Sequence, residues 1–313
     1  MSAEQEVVLE DCACPMGCVR ADQRLFSGAD RLTGRAGIFD VVQCHCCGLL
    51  RTNPRPVPES IGLFYPDDYG PYVGTRIVAP RQRSWCKRAL IRLLEHNGER
   101  VPTLPPGRML EVGCASGRFL RKMADQDWSV QGIEFSASAA AAARAGGFEV
   151  HAGSLEDAPT PAERFDLIVA WMVIEHLHDP LACLQKLREW SQPGAHLALS
   201  VPNAGALEFR VFKDRWYALQ LPTHLYHFTP ETMTALLEKA GWRVERILHQ
   251  RLLTNLLLSL AYAAHDKGLS RFARLIERFC ASRLSLLLHP LACLLALFGQ
   301  TGRMTVWARA AEK

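Results

Sequence analysis

Residues 109–120 read Met109-Leu110-Glu111-Val112-Gly113-Cys114-Ala115-Ser116-Gly117-Arg118-Phe119-Leu120. An apolar run closes on an acidic residue, turns through two glycines and opens a helical pattern. Glycines at such a turn let a ligand approach the backbone, and the helix start offers unpaired N–H groups. A dinucleotide loop would read G-x-G-x-x-G. Here the spacing is Gly113-x-x-x-Gly117, with Glu111 two residues before the first glycine. A carboxylate at that place suits a ligand bearing an ammonium and would repel a pyrophosphate. Taken alone, the two glycines are also compatible with a bare strand-to-helix turn.

Working outward, apolar strand candidates recur at 109–112, 130–133, 148–151, 165–170 and 197–201, with helical stretches at 117–125, 137–145 and 180–190 between them. Strands alternating with helices predict a parallel sheet covered on both faces, an α/β fold. Thr229-Pro230-Glu231 reads as a helix start with an N-cap Thr and Pro at the first position, ending at Gly241. Strands at 242–248 and 304–311 complete the pattern, separated by a Leu-rich stretch at 253–298.

Glu134 closes the second strand, 17 residues after Gly117. An acidic residue at that strand end can accept both ribose hydroxyls of a nucleoside. Phe135 follows it. Ser154-Leu155 after the third strand suits an adenine-edge loop, and the fourth strand runs into Trp171 and Glu175-His176. Trp171 fits a core position as well as a cofactor contact.

The set Glu111-Val-Gly113-x-x-x-Gly117, Glu134, Ser154-Leu155 and Phe165-Asp166-Leu-Ile-Val resembles the class I S-adenosylmethionine (SAM)-dependent methyltransferases, over 108–248 plus the last strand. The resemblance implies a Rossmann-like seven-stranded sheet in the order 3-2-1-4-5-7-6, last strand antiparallel, with SAM held by Glu111, Gly113, Gly117, Glu134, Phe135, Ser154, Leu155 and Trp171. Glu175-His176 and Val201-Pro202-Asn203 look like the ubiquinone-biosynthesis and sugar-methyltransferase branch. The Asn-Pro-Pro-aromatic signature of amino-methylating nucleic-acid enzymes is absent.

Six of the eleven cysteines lie in the first 47 residues. Cys14-Pro-Met-Gly-Cys18 and Cys44-His-Cys46-Cys47-Gly48 are two close pairs that can converge on one tetrahedral Zn²⁺. Cys14, Cys18, Cys44 and Cys47 are the expected ligands, with Cys12 and Cys46 as competitors; reduced structural or redox thiols are the other reading. The head is similar to the N-terminal zinc-binding module of certain sugar C-methyltransferases. Four closed ligands would make the metal structural.

Methyl transfer to a hydroxyl or C–H acceptor calls for alignment and a base. His176 is the first candidate, because it follows the fourth strand and an unperturbed imidazole titrates near neutrality. Glu175 is placed to orient it or to meet SAM, and His224, in Pro222-Thr223-His224-Leu225-Tyr226-His227, is the second candidate base. A histidine that merely packs at a helix start fits the same position. Tyr65, Tyr69 and Tyr72 suit a lid or a packed linker.

The expected layout is a zinc-binding module over 1–55, a Tyr-rich lid and helix over 56–106, a SAM-binding core over 107–252, a basic helical insertion over 253–300 and a final strand over 301–313. The net charge is +4, and 251–300 alone carries six Lys/Arg against two acids, so the rest is balanced. That counts against a nucleic-acid partner, and so against an RNA-binding zinc ribbon or RNA methyltransferase. The acidic start Met-Ser-Ala-Glu-Gln-Glu lacks a signal-peptide pattern, which predicts a reducing cytoplasmic setting. The expected acceptor is a sugar, nucleotide- or lipid-linked, or another small hydroxylated metabolite; a membrane-associated quinone or lipid is the alternative. In the insertion, Phe272, Leu275, Ile276 and Phe279 share one helical face and Arg271, Arg274 and Arg278 the other. Such a helix can cover the sheet, form a homodimer or lie on the inner face of a membrane. Residues 284–298, broken by His289-Pro290, fall short of the ~20 apolar residues of a spanning helix.

Overall fold

The computed structural model describes residues 7–65 and 98–311. Tyr69, Tyr72 and the rest of the expected lid and helix within 66–97 lie outside the described residues. Seven strands form the central sheet: β6 (Arg108–Val112), β7 (Ser129–Glu134), β8 (Glu149–Ala152), β9 (Phe165–Trp171), β10 (Ser191–Pro202), β12 (Trp242–His249) and β13 (Arg303–Ala310). Their spatial order is β12-β13-β10-β9-β6-β7-β8, the 3-2-1-4-5-7-6 arrangement. All neighbours pair in parallel except β13, which runs antiparallel to both β10 and β12.

Period-two alternation sends successive side chains to opposite faces. Along β9, Ile168 and Ala170 join one core, and Leu167 and Val169 the other. The covering helices include α2 (Arg118–Ala124), α3 (Ala137–Ala145), α4 (Pro180–Glu189) and α6 (Pro230–Lys239). α3 is capped by Ser136, and α4 by Asp179 ahead of Pro180. The expected cap at Thr229-Pro230 forms as a capping box with Thr232.

Two elements differ from the sequence expectation. β10 begins at Ser191, six residues before the apolar run, because Gln192-Pro193-Gly194 is absorbed in a register irregularity between Ser191 and His196. The N-terminal region, expected only as a zinc-binding module with no strands assigned to it, contains a sheet of β2 (Asp22–Ala29), β3 (Ile38–Cys44), β4 (Leu50–Thr52) and the distant β11 (Tyr226–His227), in the order β11-β4-β3-β2. β2 is mostly exposed, so its sequence lacks a clean alternation. A second pair, β1 (Leu9–Glu10) and β5 (Arg55–Pro56), precedes α1 (Pro58–Ile61). Cys14, Phe39, Val41, Leu49 and Phe64 belong to the same apolar cluster as Leu110 and Ile168, so the head and one sheet face share a core.

The insertion between β12 and β13 is three helices, α7 (Thr254–Asp266), α8 (Ser270–Ala281) and α9 (His289–Leu297), with a 3₁₀ run at Arg283–Leu288. On α8, Ala273 and Ile276 are buried, whereas Phe272 and Leu275 face solvent.

Candidate active site

The site lies at the carboxyl edge of the parallel strands, where open α/β sheets bind ligands. Gly113 has φ +74° and its absent Cβ would come 2.5 Å from Val173 Cγ2; at Gly117, φ is +84° and a Cβ would meet Phe148 at 2.9 Å. Both positions require glycine for conformation and for room. The Gly113 and Cys114 N–H groups donate to the Ile133 carbonyl, tying the loop to β7. Glu134 finishes the cradle: its Oε2 accepts from Ala115 N–H and its Oε1 from Ser136 N–H, each at 2.8 Å. Burial raises its pKa, and those N–H donors oppose the rise.

Glu111 is buried, and its Oε2 has no hydrogen-bond partner among the described residues. Burial first, then the neighbouring Glu99 and Glu134, push its pKa well above the carboxylate range, with Arg118 opposing. Trp171 lies edge-on to Phe119 at 5.3 Å, and its Nε1 is likewise buried without a partner. Ser154 Oγ donates to Asp157 and caps a turn, Leu155 is packed in the main core, and Phe135 is 58% exposed beside Glu134. Two orphaned buried polar atoms, Glu111 Oε2 and Trp171 Nε1, beside the glycine turn fit a ligand with an ammonium and a nucleoside.

His176 and His224 come together, with ring centroids 4.6 Å apart and nearly perpendicular planes. His176 Nδ1 lies 2.9 Å from the Thr223 carbonyl oxygen and 2.8 Å from Tyr65 Oη. A carbonyl only accepts, so Nδ1 carries the hydrogen and Nε2 keeps its lone pair. Burial pulls the His176 pKa down to about 4, with the Thr223 carbonyl opposing, so the ring is neutral at physiological pH. His224 Nδ1 is held by the Ala218 carbonyl at 2.8 Å, and burial and the neighbouring histidines hold its pKa well below the usual value. Glu175 is fully buried, both its oxygens lack a hydrogen-bond partner among the described residues, and burial lifts its pKa to about 8. The orientation of His176 therefore comes from Thr223 and Tyr65 and not from Glu175. The three side chains also offer one ligand atom each within 4.8 Å of one another, a spacing that a cation could use.

Residues that the sequence did not point to complete this side. Arg303 opens β13 opposite Pro202, at the edge where β10 ends. Its Nε is buried without a partner among the described residues, and Glu175, Glu208 and Tyr217 lie within electrostatic reach. Glu208 accepts from Trp216 Nε1 at 2.8 Å, and burial raises its pKa to about 7. Only the antiparallel register of the last strand could have indicated Arg303 beforehand.

In the head, Cys14, Cys18, Cys44 and Cys47 place their sulfurs within 4.8 Å of one another, and Cys14 and Cys47 Sγ lie 3.5 Å apart. Each pair closes a turn with a left-handed glycine: Gly17 N–H donates to the Cys14 carbonyl and Gly48 N–H to that of Cys44. Burial opposes ionisation of Cys44, but N–H donors from Cys47 and Cys46 prevail and bring its pKa to about 7. Cys12 Sγ is turned to Asn53 Oδ1 and Cys46 is exposed, so neither joins the cluster. Four sulfurs with no fifth donor among the described residues fit a closed thiolate site of the zinc type.

The fold and this cleft define a Rossmann-like α/β domain whose strand-end loops fit a nucleoside with a charged tail. A family model described as a methyltransferase domain matches residues 81–247, just over half of the 313 residues, and the chain belongs to that family. Among curated relatives, the ubiquinone biosynthesis O-methyltransferase of Cereibacter sphaeroides is 30% identical over 43% of this chain and 59% of its own length. That of Bradyrhizobium sp. is 28% identical over 51% and 68%. A probable S-adenosylmethionine-dependent methyltransferase of Mycolicibacterium smegmatis is 30% identical over 45% and 53%. The chain thus spans only about half to two thirds of these relatives. Among solved structures, the [4+2]-cyclase SpnF superposes with a TM-score of 0.51 at 20% identity, covering 83% of this chain and 98% of SpnF; at that identity the likeness is one of fold.

Proposed function

We propose that the protein methylates a hydroxyl group of a sugar carried on a nucleotide or a lipid, or of another small hydroxylated metabolite. The observation that carries this reading is the state of His176: its Nδ1 hydrogen is committed to the Thr223 carbonyl, its ring is neutral, and its Nε2 has no hydrogen-bond partner among the described residues. A fixed tautomer with a free lone pair is what a base for an acceptor O–H requires.

SAM, when bound, supplies a methyl group already activated by its sulfonium charge. Glu111 would take the ammonium and Glu134 the ribose hydroxyls, with Gly113 and Gly117 admitting the ligand to the backbone. Ser154 and Leu155 would border the adenine, and Trp171 and Phe135 would flank the cofactor. His176 Nε2 would accept the acceptor's proton while Tyr65 and Thr223 hold the ring, and His224 would keep its plane from turning. Cys14, Cys18, Cys44 and Cys47 would hold one structural zinc ion. A second reading, a quinone or other lipid hydroxyl as acceptor, is supported by the names of the ubiquinone O-methyltransferase relatives and by the exposed apolar insertion.

Incubation with methyl-labelled SAM and fractionated metabolite and lipid extracts tests both. Label in sugar nucleotides or lipid-linked glycans is expected. Label confined to quinones moves the acceptor to the second class, and label only in nucleic acid or protein overturns the proposal.

A further inference from the structure

The insertion carries a surface that the methyl-transfer site does not use. Of the twenty large hydrophobic side chains exposed among the described residues, ten lie between Leu269 and Phe298. Leu287, Leu297 and Phe298 are 73%, 82% and 71% exposed. Monomeric proteins rarely leave so dense a group uncovered. On α8, at ~100° per residue, Phe272, Leu275 and Phe279 form a stripe between the buried Ala273 and Ile276 on one side and Arg271, Arg274 and Arg278 on the other. These three arginines and Arg283 are exposed, and none makes an ion pair among the described residues. Of the segment's two acids, Asp266 is already engaged by Arg31 and Arg215 of the body, and Glu277 lies against His265.

We propose that α8, the 3₁₀ run and α9 dock on an anionic phospholipid surface, with the apolar stripe in the headgroup–acyl boundary and the arginines on the lipid phosphates. Charge complementarity selects this occupant. A second copy of the chain would bring four arginines that lack an ion-pair partner among the described residues against four more, whereas an anionic bilayer neutralises them. The shape agrees: the runs Ser270–Ala281 and Arg283–Leu297 meet at 80°, and no single described helix is long and apolar enough to cross a membrane. A bent apolar pair rimmed by arginine can lie within one leaflet.

The surface also stands at the right edge of the molecule. β12 and β10 both run antiparallel to β13, so β12 ends at the edge where Glu111, Glu134 and Trp171 end their strands. The insertion leaves from that edge and returns to it at Arg303. Its first helix is fastened to the acceptor side, Ser259 Oγ accepting from Tyr217 N–H and Asn255 donating to the Gly302 carbonyl. A docked insertion would hold the open edge of the site near the bilayer. The inference rests on the proposed function only in taking a lipid-borne acceptor as the natural substrate; docking itself needs no acceptor.

Vesicle flotation of the full-length protein tests it, using phosphatidylcholine alone and phosphatidylcholine with phosphatidylglycerol. Binding to the anionic vesicles is expected, weakening with salt. Replacing Arg274 and Arg278 by Ala should weaken it about fivefold per arginine, so about 25-fold for the pair. Leu275→Glu with Leu287→Glu should abolish it, with SAM affinity and thermal unfolding as wild type showing that the fold is intact. Equal binding to both vesicle types, binding indifferent to these substitutions, or no binding overturns the proposal. A concentration-dependent dimer dissolved by Leu275→Glu and Leu287→Glu, without vesicle binding, overturns it in favour of a second copy. Flotation reads none of the chemistry, so failure of the acceptor assignment shows separately, as label in the wrong fraction.

Discussion

The side chain with the most specific consequences is His176. Its hydrogen is placed by a carbonyl, and burial lowers its pKa to about 4. Protonated imidazole cannot accept a proton, so activity is lost as pH falls through that value. At saturating SAM, kcat/KM for the acceptor should stay level from neutrality downward and fall only near pH 4; an acidic limb at an ordinary histidine pKa would assign the base elsewhere. Replacing His176 by Gln should lower kcat by ~10²–10⁴-fold with little change in SAM affinity. Glu134 belongs to the other half of the site. Its Ala variant would lose the proposed acceptor for both ribose hydroxyls, and SAM should then bind ~10–150-fold more weakly by calorimetry. Glu111 predicts a proton. Burial pushes its pKa well up in the free protein, whereas an ammonium favours the carboxylate. SAM binding should therefore release a proton and tighten as pH rises. Calorimetric heats that differ between buffers of unlike ionisation enthalpy, and no longer differ in Glu111→Gln, would establish it; buffer-independent heats in wild type would remove Glu111 from the ammonium site.

At the scale of elements, the glycine loop sets the join between β6 and α2. An alanine at Gly113 needs a left-handed residue and collides with Val173 Cγ2. The variant should lose ~1–3 kcal/mol in urea unfolding. Adding Val173→Ala relieves the collision and not the backbone strain, so part of the loss should return. This loop was legible from sequence because its chemistry is local: strand, acid, glycine spacing and helix occupy twelve consecutive residues. The capping box at Thr229 was legible for the same reason. The N-terminal sheet was not, because its β4 is completed by Tyr226–His227, over 170 residues away, and its outer strand buries little apolar surface. The contact of Tyr65 with His176 spans 111 residues, and Arg303 reaches the site only through the antiparallel return of β13. Pairings of that range leave no periodic trace.

At the scale of the whole molecule, the head and the core touch on the acceptor side. Thr52 Oγ1 donates to the His224 carbonyl, Arg55 reaches the His178 carbonyl and Tyr226 Oη, and Tyr65 meets His176. The cofactor cradle is built instead from β6, β7 and the loops after them. Removing the metal should therefore split the two halves of the site. Stripping zinc with a chelator should release about one ion per chain, expose the four thiols to titration and lower Tm, since a structural metal contributes to folding directly. It should also reduce kcat and acceptor affinity while SAM affinity changes little. A metal-free purified protein with freely reactive Cys44 and Cys47 would refute the zinc assignment.

The two-residue strand Tyr226–His227, hydrogen-bonded to Arg51 and Leu50, bears on how such enzymes can be recombined. A chimera cut near residue 55, with the head of one relative spliced to the catalytic core of another, would leave β4 beside a foreign edge. Its Thr52 and Arg55 would face unmatched partners. A graft that carries the 216–228 segment along with the head keeps both edges of that seam, so heads should be exchangeable only as a discontinuous unit of two stretches of chain.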